Sequence, residues 1–286
     1  MTHASPATAP EAAPRRRDLP IGVFDSGVGG LTVLHELLVS LPGEDYLYLG
    51  DSANFPYGEK APDQLAACSE RSTRCLLDHG AKLVVVACNS AASAGLVAAR
   101  EVADLHRVPV IAVIEPEAEI AAAITAAGRV GILATPATVE GGAYRRALEC
   151  QRADLTITQV AAADLAPIIQ RGFPFDQGVL DTVRSYCEPL REAQVDTVIL
   201  GCTHFPLVAP MLQRILGRDV RLVTAGHALA AGAQRILESR GLAAEDGRGE
   251  GAYRFLCSGN VEQFRELGTR FLQLPLGEVE AVDLGG

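Results

Sequence analysis

Lysine is almost missing from this chain. Only Lys60 and Lys82 occur among 25 basic residues. A pyridoxal phosphate enzyme needs a Schiff-base lysine, which leaves two candidates, one in a loop and one just before a strand. A P-loop is excluded, because neither lysine follows a glycine at the required spacing. The seven cysteines are odd in number and contain no CxxC, so they indicate neither a disulfide framework nor a zinc site. Reduced thiols of a cytoplasmic protein fit that usage. No stretch approaches eighteen consecutive apolar residues, so no spanning helix is expected. Residues 1–18, rich in Ala, Pro and Thr and carrying Arg15-Arg16-Arg17, lack the apolar core of a signal peptide. They read as a disordered N-terminal extension. Acidic residues number 35, the formal charge is −10 and the pI is about 5.1. That balance argues against non-specific nucleic-acid binding and against anionic membrane surfaces. It leaves small anions open, because backbone N–H groups at helix starts bind them without net positive charge.

What is present in quantity is short apolar runs that end in small polar residues. Val84-Val85-Val86-Ala87 leads into Cys88-Asn89-Ser90, and Val198-Ile199-Leu200-Gly201 leads into Cys202-Thr203-His204. Such runs read as buried parallel strands. Each cysteine then stands at the strand end, where open α/β folds bind ligands. A single buried cysteine is usually a small hydrophobe; a matched pair followed by polar residues points to chemistry instead.

The pairing extends upstream. Ile21-Gly-Val-Phe24 and Val130-Gly-Ile-Leu133 are both strands with glycine second, followed by Asp25-Ser26 and by Ala134-Thr135-Pro136-Ala137-Thr138. The intervals from 21 to 88 and from 130 to 202 are similar, which marks a weak internal repeat of two α/β halves. The expected architecture is α/β: two similar doubly wound α/β domains in a pseudo-twofold relation, with the active site in the cleft between them. The first domain takes residues 19–114 plus 225–286, and the second takes residues 115–224.

Asp25-Ser26-Gly27-Val28-Gly29-Gly30 resembles a dinucleotide-binding turn, and Asp51 falls at about the distance of a ribose contact. The third glycine position is Thr32, however, and Asp25 puts a carboxylate where a pyrophosphate would approach. Gly50-Asp51-Ser52-Ala53-Asn54-Phe55-Pro56-Tyr57-Gly58 is dense in turn formers yet carries two aromatics, an unusual mix for a plain connector. Two like groups on opposite walls of one cleft suit a reaction that takes a proton from one face of a substrate and returns one to the other. Thiols can do this if neighbours tune them. Asp25 and His204 are the candidate proton partners; read alone, each is equally a helix-start carboxylate or a structural histidine.

Four segments, Ile21 to Leu31, Gly50 to Gly58, Ala87 to Ala91 and Gly201 to Leu207, resemble the signature motifs of the glutamate racemase family, in order and spacing. The resemblance implies cofactor-independent interconversion of L- and D-glutamate, supplying D-glutamate for peptidoglycan. It implies neither metal nor pyridoxal phosphate, and a homodimer without membrane or direct nucleic-acid contact. An interaction with DNA gyrase enters only by family analogy. Carried over by residue, Cys88 and Cys202 match the catalytic thiols, the first working on D-glutamate and the second on L-glutamate. Asp25, Ser26, Tyr57, Gly58, Asn89, Ser90, Thr203 and His204 match the substrate-binding pairs, and Thr135 and Thr138 add hydroxyls. Several positions depart from the pattern: Ser90 where Thr is usual, Gly141-Gly142, Thr224-Ala225, and Gln170 where an acid is common. The alternatives are a two-thiol racemase of aspartate or a hydantoin, and a non-catalytic anion-binding or interaction protein.

Overall fold

The computed structural model describes residues 15–172, 176–245 and 247–285. The chain begins β1 (Ile21–Asp25), α1 (Leu31–Ser40), β2 (Tyr46–Gly50), α2 (Pro62–Asp78), β3 (Leu83–Val86), α3 (Asn89–Ala94), α4 (Leu96–Leu105) and β4 (Val110–Ala112). Helix α5 (Ile114–Ile124) crosses to β5 (Arg129–Ala134), α6 (Pro136–Gly141), α7 (Ala143–Gln151) and β6 (Thr156–Ala161). Then follow α8 (Leu165–Gln170), α9 (Gln177–Glu192), β7 (Thr197–Gly201), α10 (Ala209–Leu216) and β8 (Arg221–Val223). The chain returns through α11 (Gly226–Ser239) to β9 (Tyr253–Cys257), α12 (Val261–Leu272) and β10 (Val279–Ala281).

The strands form two sheets with the same internal order. One runs β10-β9-β2-β1-β3-β4 and the other β6-β5-β7-β8, and every pairing is parallel. The order 2-1-3-4 of the first four strands is thus repeated as 6-5-7-8. Parallel strands covered on both faces must be apolar throughout. Strands β1, β3 and β7 are buried along their whole length. On the six-stranded sheet, α2 packs on α4, while α1 packs on α11 and α12. The late return therefore finishes the first sheet, with β9 registered against β2 from Tyr46–Tyr253 to Gly50–Cys257.

The repeated glycine has one job in both sheets. A Cβ on Gly22 would lie 2.9 Å from Ala81 Cβ and 3.1 Å from Leu76 Cδ1. A Cβ on Gly131 would lie 2.9 Å from Leu190 Cδ2 and 3.1 Å from Val198 Cγ2. In each half, then, the bare strand lets the helix before the third strand settle close.

One expectation needs amendment, and two local features had no sign in the sequence. Residues 1–14 of the proposed extension lie outside the described residues, but Arg15–Asp18 is not free chain. Arg16–Asp18 forms a 3-10 turn, Arg15 and Arg17 pair with Glu245, and the buried Lys82 ammonium donates to the Arg17 carbonyl at 2.6 Å. Helices α3 and α4 are separated at Gly95, where a Cβ would meet Ser69 Oγ at 2.0 Å. The close approach of α2 forces the break. Finally β6, only partly buried, carries no unbroken apolar run and was not foreseen. Among the described residues no helix is long and apolar enough to cross a membrane.

Candidate active site

In both sheets the strand order reverses between the first and third strands, and ligands of open α/β sheets bind at that reversal, beyond the carboxyl ends. Cys88 follows β3 and Cys202 follows β7, so the two thiols hold equivalent places. The two ends face one another. Ser26, Tyr57, Gly58, Cys88, Asn89, Ser90, Thr135, Cys202, Thr203 and His204 all line one cavity of about 20 Å³, room for a single water. A neighbouring cavity of about 140 Å³ also reaches Asn89, Cys202 and Thr203. Of the residues selected from sequence, Asp25 and Thr138 lie one layer behind this wall. Both are buried.

Polar bonds cross between the halves. The Ser90 hydroxyl lies 2.9 Å from that of Thr135 and 3.2 Å from that of Thr138, which are 2.9 Å apart. Thr203 Oγ1 donates to Asp25 Oδ1 at 3.3 Å, while the Gly27 N–H donates to Asp25 Oδ2 at 3.1 Å. The glycine-rich turn now has a physical reason. A Cβ on Gly29 would lie 2.3 Å from Thr203 Oγ1 and 2.5 Å from His204 Nδ1, so the turn is bare to admit the opposite half. Gly58 does the same against Thr135, whose Cβ would be 2.7 Å away.

Asp51 is placed differently from the ribose contact its position resembled. It is fully buried and accepts from Tyr57 Oη at 2.6 Å, Ser258 Oγ at 2.6 Å and Asn54 Nδ2 at 3.1 Å. It holds the Tyr57-Gly58 turn against the cavity. The signal for this was the dense turn chemistry around a carboxylate, but the Ser258 partner is 207 positions away.

His204 is buried between Phe55 and Phe271, with ring centroids 5.6 and 5.1 Å away. Its Nε2 lies 2.8 Å from Gln170 Oε1, an atom that only accepts. The Nε2 therefore carries the proton, and Nδ1, 3.9 Å from Cys202 Sγ, is left as the acceptor. Burial pushes the imidazole down to about 3, so it is neutral. Gln170 was noted only as a departure from a common acid; the structure gives it the tautomer.

Burial governs the thiols as well. It pushes Cys88 up to about 12, with the charge of Asp25 adding to the rise, while N–H groups of Ala91 and Ser26 oppose it. Burial likewise raises Cys202, against the N–H groups of His204 and Phe205. Asp25 is itself raised by burial, opposed by N–H groups of Gly30, Gly27 and Ser26 and by the Thr203 hydroxyl. Without a ligand, both cysteines are protonated thiols. A cation placed among them and Asp25 would lower all three together. Among the described residues, no group of three His, Cys, Asp or Glu is arranged to hold a metal ion.

The Asp/Glu/Hydantoin racemase family model matches residues 29–233. A glutamate racemase of Desulforudis audaxviator is 39% identical over 257 residues, 88% of this chain and 93% of that protein. The solved glutamate racemase RacE1 of Bacillus anthracis superposes with a TM-score of 0.88 at 34% identity, covering 94% of this chain and 98% of the other. That of Francisella tularensis, solved in complex with D-glutamate, gives 0.86 at 29% identity over 94% and 98%.

Proposed function

Because the chain belongs to the Asp/Glu/hydantoin racemase family, we propose that it interconverts L- and D-glutamate by two-base catalysis, with Cys88 and Cys202 as the bases. The observation that carries this reading is the equivalence of the two thiols: third-strand ends of matching sheets, on opposite walls of one cavity. The relatives' names supply the substrate.

The substrate ammonium enters beside Asp25, whose carboxylate it stabilises, and its charge lowers the thiols. A substrate carboxylate beside His204 raises the imidazole from its buried, ligand-free value, so that Nδ1 takes the Cys202 proton, and the resulting thiolate removes the Cα proton of L-glutamate. Cys88, still a thiol, gives its proton to the opposite face and is left as the thiolate, and when product leaves, exchange with solvent removes the proton from His204 and restores one to Cys88. The reverse reaction begins with the Cys88 thiolate on D-glutamate, with Asp25 as its proton partner. Ser26, Tyr57, Gly58, Ser90, Thr135, Thr138 and Thr203 supply hydroxyls and backbone groups for two carboxylates, and the Asn89 amide oxygen faces the ammonium beside Asp25. No cofactor is required for this proton exchange.

The reading includes a cytoplasmic homodimer that supplies D-glutamate for peptidoglycan. Its first domain takes 19–114 plus 225–286 and its second takes 115–224. The two-sheet topology and the crossings at α5 and before α11 support that division. The test follows L-glutamate with purified protein by circular dichroism, beside Cys88→Ser and Cys202→Ser, with aspartate and a hydantoin as controls. Racemisation of glutamate that is lost in both variants supports the reading. Activity confined to aspartate or the hydantoin keeps the mechanism and changes the substrate. No activity on any of them overturns it.

A further inference from the structure

Behind the Cys88 wall lies a buried carboxyl that the mechanism above does not use. Glu117, in the first turn of α5, is 2% exposed. Among the described residues no arginine or lysine pairs with it. Its partners are polar and neutral. The fully buried Tyr144 donates its hydroxyl to Glu117 Oε2. Asn89 Nδ2 donates to Tyr144 Oη at 2.6 Å and reaches Glu117 Oε2 at 3.3 Å. The Ala225 N–H also faces the carboxyl.

These partners come from separate parts of the fold. Asn89 follows Cys88 and belongs to the six-stranded half, while Tyr144 lies on α7 in the four-stranded half. Glu117 and Ala225 sit on the two crossings between them. Tyr144 also packs against the strand that ends at Cys202, since a Cβ on Gly201 would lie 3.0 Å from its Cε2. Because Tyr144 Oη spends its proton on Glu117, it must accept from Asn89, and this fixes which end of the amide is nitrogen. With Nδ2 committed to Tyr144 and Glu117, Asn89 Oδ1 is the end left for a ligand's ammonium.

We propose that Glu117 is a positioning residue for the substrate: through Tyr144 it fixes the Asn89 amide beside Cys88, and it does so only when the two halves are closed. The inference rests on the reading of the site as a glutamate racemase. The bonds that set the amide cross the joint, so opening the cleft releases it and closure restores it. Burial pushes the Glu117 carboxyl up to about 8, so near neutral pH it is mostly protonated and a glutamine is nearly isosteric with it. Above that pH a negative charge appears behind a site meant for a substrate of net negative charge, and affinity falls. Tyr144 bonds to the carboxyl; His35, Glu36 and Cys202 share a cavity of about 140 Å³ with it. Tyr144 is raised by burial first and by Glu117 only second, so its hydroxyl stays protonated in wild type and in Glu117→Gln across the range measured.

The experiment measures KM and kcat for D-glutamate from pH 6 to 9 in wild type, Glu117→Gln, Glu117→Ala and Tyr144→Phe, with thermal midpoints in parallel. Near pH 6.5, Glu117→Gln is expected within about twofold of wild type in KM. Glu117→Ala and Tyr144→Phe raise KM about tenfold, the loss of one net hydrogen bond, and change kcat less. The ratio of wild-type KM to that of Glu117→Gln rises through about pH 8. A Glu117→Ala protein with wild-type KM and only a lower thermal midpoint would overturn the positioning role. So would a ratio that stays flat with pH, or a Glu117→Gln protein as impaired as Glu117→Ala at pH 6.5. A wild type inactive on glutamate would instead remove the underlying reading, and this inference with it.

Discussion

The Nδ1 of His204 stands 3.9 Å from the Sγ of Cys202, and the Nε2 proton on the same ring is spent on Gln170 Oε1 at 2.8 Å. One amide thus aims the imidazole's lone pair at one thiol. Replacing His204 by Gln removes the basic nitrogen that can take up a proton while keeping a polar side chain, and the rate with L-glutamate is expected to fall by about 10²–10⁴-fold in kcat. For a racemase the equilibrium constant is one, so kcat/KM must fall equally in both directions. Asymmetry appears only in the separate kcat and KM values. Steady-state rates from each enantiomer check this; an unchanged kcat from L-glutamate would remove His204 from the proton path.

The same ring should shape stability in acid. Its pKa is depressed from about 6.5 to about 3 by burial, so the unfolded chain takes up a proton before the folded one does. The stability is therefore complete above about pH 6.5 and is lost progressively as pH falls toward 3, by up to about 1.4 kcal/mol per pH unit. Urea unfolding of wild type and His204→Gln at several pH values tests it. The variant should show a shallower decline in that window.

Gly29 should tolerate no side chain. An alanine there would put its Cβ into Thr203 and the His204 ring, both held in buried bonds. Overpacking of this kind costs about 1–3 kcal/mol. Because the clash falls across the joint, closure suffers as well as folding. Gly29→Ala should therefore raise KM for glutamate beyond what its lowered thermal midpoint accounts for. A wild-type KM would show that the halves close without this contact.

Much of this was legible from the residues. The apolar runs that end in Cys88 and Cys202, and the glycine in second place of β1 and β5, encode the strands and the repeat directly, because a buried parallel strand has no polar face to vary. The site residues stood beside those strand ends and could be collected with them. What escaped depends on contacts across the joint. Gly29 looked like an anion-binding turn because its real neighbours, Thr203 and His204, lie in the other half. Asp51 fell only at the spacing of a ribose contact, a reading that Thr32 and Asp25 already opposed, and its anchoring role stayed hidden because Ser258 lies in the returning tail. Glu117, next to Pro116 in a charged helix start, carries no sign of burial until Asn89 and Tyr144 are brought to it. The break at Gly95 is likewise set by Ser69 of α2, not by the helix sequence.

Tyr57 is expected to act through its anchor. Tyr57→Phe deletes the 2.6 Å bond to Asp51 and leaves that buried carboxylate with Asn54 and Ser258, at a cost of about 1–3 kcal/mol in folding stability. Denaturant unfolding checks this, and a loss below about 0.5 kcal/mol would mean the turn is held by packing instead.

The central claim is that two different groups handle the proton on the two faces of the substrate. Its most direct test is to start the reaction with L-glutamate in D₂O and read Cα deuterium in both enantiomers during the first few percent of turnover. Two-base catalysis predicts D-glutamate that carries deuterium in essentially every molecule, formed from L-glutamate that is still protiated. D-glutamate that retains protium, or L-glutamate that gains deuterium as fast as product forms, would mean that a single group serves both faces and would contradict the account.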